Sequence, residues 1–295
     1  MPVRRVLVTG AAGLLGGRVA ALLAERFQVR AARHRSAPPS GVATIDLDLL
    51  DAASLASALE QARPDAVVHC AAEGNVDRCE RVPGPAQRIN AEATADLART
   101  CRARGLRLVA FSTDLVLGGD RALADEEVPP APSLVYGRTK LAGEEAVLAE
   151  APDAAVLRVA LVAGRGHGPK ATSTESVAWA LRAGRPVRLY TDQVRTPVDS
   201  FSVADAVARA LERPAAGRFH IGGPERLTRL ELGLRVASVL GLPEEGIAAV
   251  TRDEMPQDGR RPGDTSLDSG RARRALGWEP RALADAIRDG RPGPG

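Results

Sequence analysis

Lysine is nearly absent: the chain of 295 residues holds two, Lys140 and Lys170, against thirty-eight arginines. Tyrosine is as scarce, at Tyr136 and Tyr190, and aromatic residues together make up 3% of the chain. So few rings argue against the stacking platforms that hold single-stranded nucleic acid, despite a formal net charge of +3. The basic residues form no dense run, which reads as a solvated surface with a few anion contacts. No apolar stretch reaches membrane-spanning length. Arg4-Arg5 and the Ala-, Leu- and Gly-rich run after them imitate a secretory leader, but Thr9, the glycines and Arg18 break the apolar segment, so a soluble protein of the cytoplasm is expected. Cys70, Cys79 and Cys101 are odd in number and lack metal-ligand spacing, which predicts small buried thiols in a reducing compartment.

What the chain does contain is ordered. With 44% hydrophobic and 26% charged residues it can bury an ample core in one large or two modest domains. One of its tyrosines and one of its lysines stand four apart, in Leu134-Val135-Tyr136-Gly137-Arg138-Thr139-Lys140-Leu141-Ala142-Gly143-Glu144. On a helix that spacing sets both side chains on one face. An ammonium beside a phenol favours the phenolate and lets the tyrosine exchange a proton with a reacting oxygen, as carbonyl reduction requires. Arginine would bring its charge as a planar fork, whereas a compact ammonium reaches a ribose hydroxyl and a phenol together; a lysine here points to a chemical need. The plainer alternative is a solvated lysine beside a packing tyrosine.

Arg5-Val6-Leu7-Val8-Thr9 reads as a buried parallel strand running into Gly10-Ala11-Ala12-Gly13-Leu14-Leu15-Gly16, which opens an amphipathic helix ending near Arg26. The three glycines permit a tight turn, close approach of a pyrophosphate and close packing of helix on sheet, and the helix N-terminus offers free N–H groups to phosphate. Gly10, Ala12, Gly13, Leu14 and Leu15 are therefore candidate cofactor contacts. The next strand, Gln28 to Ala32, ends in Arg33-His34-Arg35, with no carboxylate where an NAD-selective protein holds the adenosine ribose. A basic residue there favours a 2′-phosphate and hence NADP(H). Ile45-Asp46-Leu47-Asp48 reads as a strand whose Asp48, with Leu49 beside it, either meets the adenine or caps the helix beginning near Ala52.

Ala66 to Ala72 is a short apolar strand ending in Cys70-Ala71-Ala72, small enough for a cofactor backbone to lie close. A helical stretch from about Pro85 to Ala103 carries Asn90, and the strand from Leu106 to Phe111 ends in Ser112-Thr113-Asp114. Hydroxyls at the carboxyl end of a central strand face the ligand crevice of an open α/β sheet, where Thr113 would donate to a substrate carbonyl; the same triplet also suits a helix or turn cap.

Taken in order, Thr-Gly-x-x-Gly-x-x-Gly, Ser112-Thr113-Asp114 and Tyr136-x-x-x-Lys140 resemble the extended short-chain dehydrogenase/reductase superfamily. Within it, Val76-Asp77-Arg78-Cys79-Glu80, Tyr136 through Glu144, Asp192-Gln193 with Pro197, and Arg261-Pro262 through Leu267-Asp268 look most like the dTDP-4-dehydrorhamnose reductase family, over nearly the whole chain. The resemblance implies a hydride passing from NADPH to the keto carbon of a nucleotide-activated deoxysugar. Tyr136 would be the acid, Lys140 would hold the ribose and lower the phenol's pKa, and Thr113 would polarise the carbonyl. It implies for Asn90 the support of a proton relay through water, against a plain bond to nearby backbone. Asp114, Arg165, Gln193 and Arg261 are the candidate substrate contacts. The chain departs from the family in carrying Leu115 and Leu117 where aromatic residues commonly follow Ser-Thr-Asp, and in reading Arg158 to Gly164 where Arg-Thr-Ser-Trp is common. Both changes remove a stacking surface and leave the sugar open. No metal is assigned. Two other readings stay open: an epimerase or dehydratase that keeps its nicotinamide through the cycle, and a non-catalytic NADP-binding regulatory subunit.

Strand and helix alternate through residue 221, which predicts an α/β fold with a doubly wound parallel (Rossmann) sheet and a smaller, mainly helical substrate-binding lobe. Residues 1–165, joined by 186–223, would form the dinucleotide-binding domain; 166–185 and 224–290 would form the lobe; 291–295 would be a disordered tail. Gly164 to Lys170 reads as a lid loop, Asp192 to Pro197 as a loop suited to substrate, and Ser202 as the cap of a helix running to Glu212. Arg260 to Asp264 offers paired donors for a diphosphate. The partner expected is a small-molecule nucleotide sugar, not nucleic acid or membrane, with a homodimer left open.

Overall fold

A computed structural model describes residues 2–293 apart from 35, 39, 214 and 256–258, and in it the strand–helix alternation builds a single parallel sheet. Strands β1 (Arg5–Thr9), β2 (Gln28–Arg33), β3 (Ala43–Asp46), β4 (Ala66–His69), β5 (Arg107–Thr113), β6 (Ala155–Val159) and β7 (Gly217–Ile221) lie in the order β7-β6-β5-β4-β1-β2-β3. Every neighbouring pair is parallel. Such a sheet is covered on both faces by its crossover helices, which is why its inner strands β1 and β4 are apolar and buried at consecutive positions. Val6 and Val8 join Val19 and Leu23 of α1 (Leu14–Leu23) on one face, while Leu7 meets Leu59 of α2 (Ala52–Ala62) and Leu97 of α3 (Ala93–Ala103) on the other. Helix α4 (Val135–Glu150) follows β5 and buries Val147 on that second face.

Beyond the sheet, α5 (Ser173–Arg182), α6 (Ser200–Glu212) and α7 (Arg229–Leu240) follow. Helix α6 packs with α1 on the sheet, its Val203 and Val207 in the first core, whereas Val177 and Leu181 of α5 and Leu232 and Val236 of α7 build a smaller core with Leu189, Leu283 and Ile287. The smaller core is not all helix, since Val187–Tyr190 pairs in parallel with Ile247–Val250. Residues 187–190 thereby side with the lobe. Leu276 and Trp278 side with the sheet, the Trp278 indole donating to the Ser202 carbonyl at 2.7 Å.

Several local expectations are corrected. Asp51, not Asp48, caps α2 by accepting from the Ala53 amide, while Asp48 closes a turn on the Leu50 amide. Asp199, not Ser202, caps α6; Ser202 already lies in the first turn and donates its hydroxyl to Asp199 at 2.5 Å. The helix expected from Pro85 is three runs, Pro83–Ala86, a π turn Gln87–Glu92 carrying Asn90, and α3. Within the expected loop from Asp192, Val194–Arg195 pairs antiparallel with Leu227–Thr228. The tail is held rather than disordered at Arg291, whose amide donates to Glu175 and whose carbonyl accepts from the Trp179 indole; residues 294–295 lie outside the described residues, as does Arg35 of the basic triplet. Among the described residues no helix is long and apolar enough to cross a membrane.

Candidate active site

The strand order reverses between β1 and β4, and crossovers that leave in opposite directions open a crevice at the carboxyl ends of the two strands. Gly10 stands there at φ +66°, pressed so close to the end of β4 that a Cβ would lie 2.5 Å from the Ala71 nitrogen. Only glycine meets both demands. At Gly16 a Cβ would run into the Gly10 carbonyl, so that glycine lets α1 pack onto its own turn. The α1 N-cap, Gly13, has no side chain to accept from the first-turn amides, which leaves them for a ligand. Beneath the turn, His69 bonds the Thr9 hydroxyl at 2.8 Å and the Thr94 hydroxyl at 3.0 Å. Burial, with the nearby Lys140 charge, pushes its pKa down to about 3, so it is a neutral strut.

Two cavities share this turn. One, of about 380 Å³, runs toward the ends of β2 and β3 and is lined by Arg33, His34, Asp48 and Leu49, with Gly10, Ala12 and Gly13 on one side and Cys70, Ala71 and Ala72 on the other. Arg33 pairs with Asp46 at 2.6 Å and His34 lies 3.6 Å from Asp48, both on the surface. The second, of about 770 Å³, continues past Leu14 and Leu15 to Thr113, Tyr136 and Lys140. Because both are lined by Gly10, Ala12, Gly13, Cys70 and Ala72, they form one trough. Cys70 is half-buried at their junction, whereas Cys79 and Cys101 are the buried thiols expected.

Tyr136 and Lys140 sit in the first turns of α4. A Cβ at Gly137 would meet the Leu115 carbonyl and one at Gly143 the Asn90 carbonyl, so these glycines let the helix press onto the turn after β5 and onto the π turn. Thr113 ends β5, donating its hydroxyl to Asp114 at 3.1 Å and accepting from the Leu115 amide at 3.2 Å; it is a turn cap that also lines the trough. Burial raises the Tyr136 phenol above its ordinary value, the Asp114 charge adds to this, and the Thr113 hydroxyl opposes it. Burial also lowers Lys140 to about 8, against the pull of Cys70 and Glu144. The expectation that Lys140 acidifies the phenol is not met in the protein alone: burial and Asp114 prevail over the Thr113 hydroxyl, Lys140 is not among the groups that move the phenol, and the tyrosine stays protonated.

Asn90 is fully buried and lines neither cavity. Its amide accepts from the Glu73 amide at 2.9 Å and donates to the Glu73 carbonyl and the Thr139 hydroxyl, tying the loop after β4 to α4. Asp114 is buried behind Thr113, bonded to the Thr265 hydroxyl at 3.0 Å and 3.4 Å from the Arg195 guanidinium. Burial raises its carboxyl while Arg195 opposes. Gln193 is buried with its carbonyl on the Arg229 amide, and Arg261 is ion-paired to Asp77. Arg165 is exposed, its carbonyl held by the Ser200 hydroxyl. These four substrate candidates line neither cavity. Residues not singled out from the sequence do line the trough: Ser36 in both parts, and Phe111, Ala160, His167 and Lys170 in the larger. Lys170 carried a signal, being the other lysine in a chain with two.

The family described as RmlD substrate binding domain matches residues 4–290. The chain is similar to the probable low-salt glycan biosynthesis reductase Agl14 of Haloferax volcanii, at 33% identity over 95% of each protein. It is also similar to methionine adenosyltransferase 2 subunit beta of Pongo abelii, at 32% identity over 91% of this chain and 81% of that one. Among solved structures, the hypothetical dTDP-4-dehydrorhamnose reductase of Sulfolobus tokodaii superposes with a TM-score of 0.86 at 32% identity, over 97% of this chain and 99% of that one. With the match running through both the sheet and the lobe, this chain belongs to the dTDP-4-dehydrorhamnose reductase family of the extended short-chain dehydrogenases/reductases.

Proposed function

We propose that this protein reduces the keto group of a nucleotide-activated 4-keto-6-deoxysugar with NADPH. The observation that carries the reading is the convergence of Thr113, Tyr136 and Lys140 on the trough that starts at the glycine turn. The free amides of α1 and the close backbone at Gly10 suit a pyrophosphate, and Arg33 and His34, with no acid on the tip of β2, suit a 2′-phosphate. Asp48, Leu49 and Cys70 to Ala72 would line the adenosine half, Leu14 and Leu15 the phosphates.

When bound, the reduced nicotinamide supplies the hydride that the carbonyl carbon accepts. Tyr136 gives its proton to the carbonyl oxygen, and a phenol whose pKa is raised keeps that proton at neutral pH. The phenolate left behind then needs a cation, which Lys140 provides while charged below about pH 8. Thr113 polarises the carbonyl, and Asn90 holds α4 in place behind the two. Asp114 would serve the substrate by fixing the turn that carries Thr113, while Gln193, Arg261 and Arg165, which stand outside the trough, remain candidate contacts for the part of the sugar nucleotide that reaches beyond it.

A regulatory reading has its own support in the likeness to methionine adenosyltransferase 2 subunit beta. Titrating the full chain with a panel of nucleotide sugars, with and without 4-keto groups, and following NADPH absorbance separates the two. Consumption of NADPH by a dTDP-4-keto-6-deoxysugar supports the reductase, cofactor binding without consumption the subunit, and nicotinamide retained through purification an epimerase or dehydratase.

A further inference from the structure

Both lysines of this chain line the same cavity. Lys140 sits deep in it, and Lys170 lies on the loop that closes it over Gly10, Ala12, Gly13 and Ser36, the part suited to a pyrophosphate. Elsewhere the chain takes its positive charge from arginine, so a second lysine in the same trough is a choice of group. A compact ammonium acts on a phosphate as a point charge with no demand for a planar partner. The Lys170 side chain is exposed, and among the described residues no carboxylate pairs with it.

The loop is held at this place from the far end of the chain. The Arg291 guanidinium donates to the Gly168 carbonyl, to the Lys170 carbonyl at 2.7 Å, and to Glu175 at 2.7 and 2.8 Å. Glu175 is buried, and it also accepts from the Thr172 amide at the start of α5. The guanidinium lies 5.2 Å from the Trp179 ring centre, which fixes the fork from its open face. On the other side the His167 amide donates to the Leu14 carbonyl, and a Cβ on Gly17 would strike the His167 ring, so the loop rests directly on α1.

We propose that Lys170 contacts the pyrophosphate of the bound dinucleotide and that Arg291 is the positioning residue that presents it. This rests on reading the trough as a dinucleotide site. Since the pyrophosphate is common to both nicotinamide dinucleotides, the contact serves NADH and NADPH alike, unlike Arg33 and His34.

The test is the Kd of full-length wild type, Lys170→Ala, Arg291→Ala and the double variant for NADPH and for NADH, read by cofactor fluorescence. Lys170→Ala is expected to weaken both dinucleotides by a similar factor, about fivefold, the scale of one partly exposed charge contact. Arg291→Ala is expected to do the same, and the double variant to bind no more weakly than Arg291→Ala, because one residue acts through the other. Lys170→Arg, which keeps the charge, recovers part of the loss. Wild-type affinity in Lys170→Ala, a loss confined to NADPH, or losses that multiply in the double variant each overturn the proposal. A wild-type chain that binds neither dinucleotide removes the reading of the trough itself, and this contact with it.

Discussion

Glu144 accepts both Nε and Nη2 of Arg158, at 3.0 and 2.6 Å, in a pair closed off from solvent. Arg218 donates to the same carboxylate at 2.5 Å, so α4 is tied to β6 and β7 one helical turn beyond Lys140. Removing Arg158 leaves the buried Glu144 with Arg218 alone, so the loss reaches at most the ~3–5 kcal/mol of a wholly unpaired buried charge, whereas removing both costs less. Arg158→Met is expected to lower stability by that order and Arg158→Met with Glu144→Leu to regain part of it, as urea melts will measure. Equal losses in the single and double variants would show that the pair is not what holds the helix.

Tyr136→Phe removes one oxygen and leaves the ring that packs at the mouth of α4. Turnover is expected to fall by about a hundredfold or more, the usual scale for a general acid, with cofactor Kd changed less than about twofold. Equal turnover in the variant takes Tyr136 out of the mechanism.

Lys140 titrates at about 8 in the folded protein, below its ordinary 10.5. If the ammonium steadies the phenolate, the rate of reduction falls as pH rises through about 8. The same shift fixes the sign for stability. Below about 8 the folded protein bears the full cost of burying the charge, and between there and 10.5 the unfolded chain binds more protons, so stability rises with pH. Lys140→Met is therefore expected to melt higher than wild type at neutral pH, to lose the alkaline rise, and to lack activity; a lower melting temperature at neutral pH contradicts this.

Two buried histidines set the acid side. His69 and His220 are pushed down to about 3 and about 4, both mainly by burial, and both belong to hydrogen-bonded clusters. With folded values below 6.5, the unfolded chain binds more protons as the pH drops, so stability is lost progressively below that value. Denaturant midpoints measured down to about pH 4.5 are expected to fall steadily, and His69→Gln to flatten part of the slope. A flat profile in wild type would mean that these rings are not held neutral.

The parts of this molecule that were legible in the sequence are those set by neighbours along the chain. The apolar strands and the glycine turn announce themselves because periodicity and positive φ are local, and Tyr136 with Lys140 because four residues make one helical turn. The cap expected at Ser202 falls at Asp199, and of the two roles open to Asp48 the cap goes to Asp51, because apolar spacing does not mark where the first amides fall free. Arg291 passed for a disordered end because its partner, Glu175, is 116 residues away. The state of the Tyr136 phenol is hidden from the sequence for a related reason: the four-residue spacing to Lys140 is local, but the burial and the Asp114 charge that raise the phenol come from the fold.

The most direct test of reductase activity is to mix the full chain with NADPH and a dTDP-4-keto-6-deoxyhexose and to follow both the loss of reduced nicotinamide and the sugar product. One NADPH is expected to be consumed for each keto group reduced, with Tyr136→Phe silent. Tight NADPH binding with no consumption, across this sugar and the nucleotide-sugar panel, would contradict it and leave a regulatory subunit in its place.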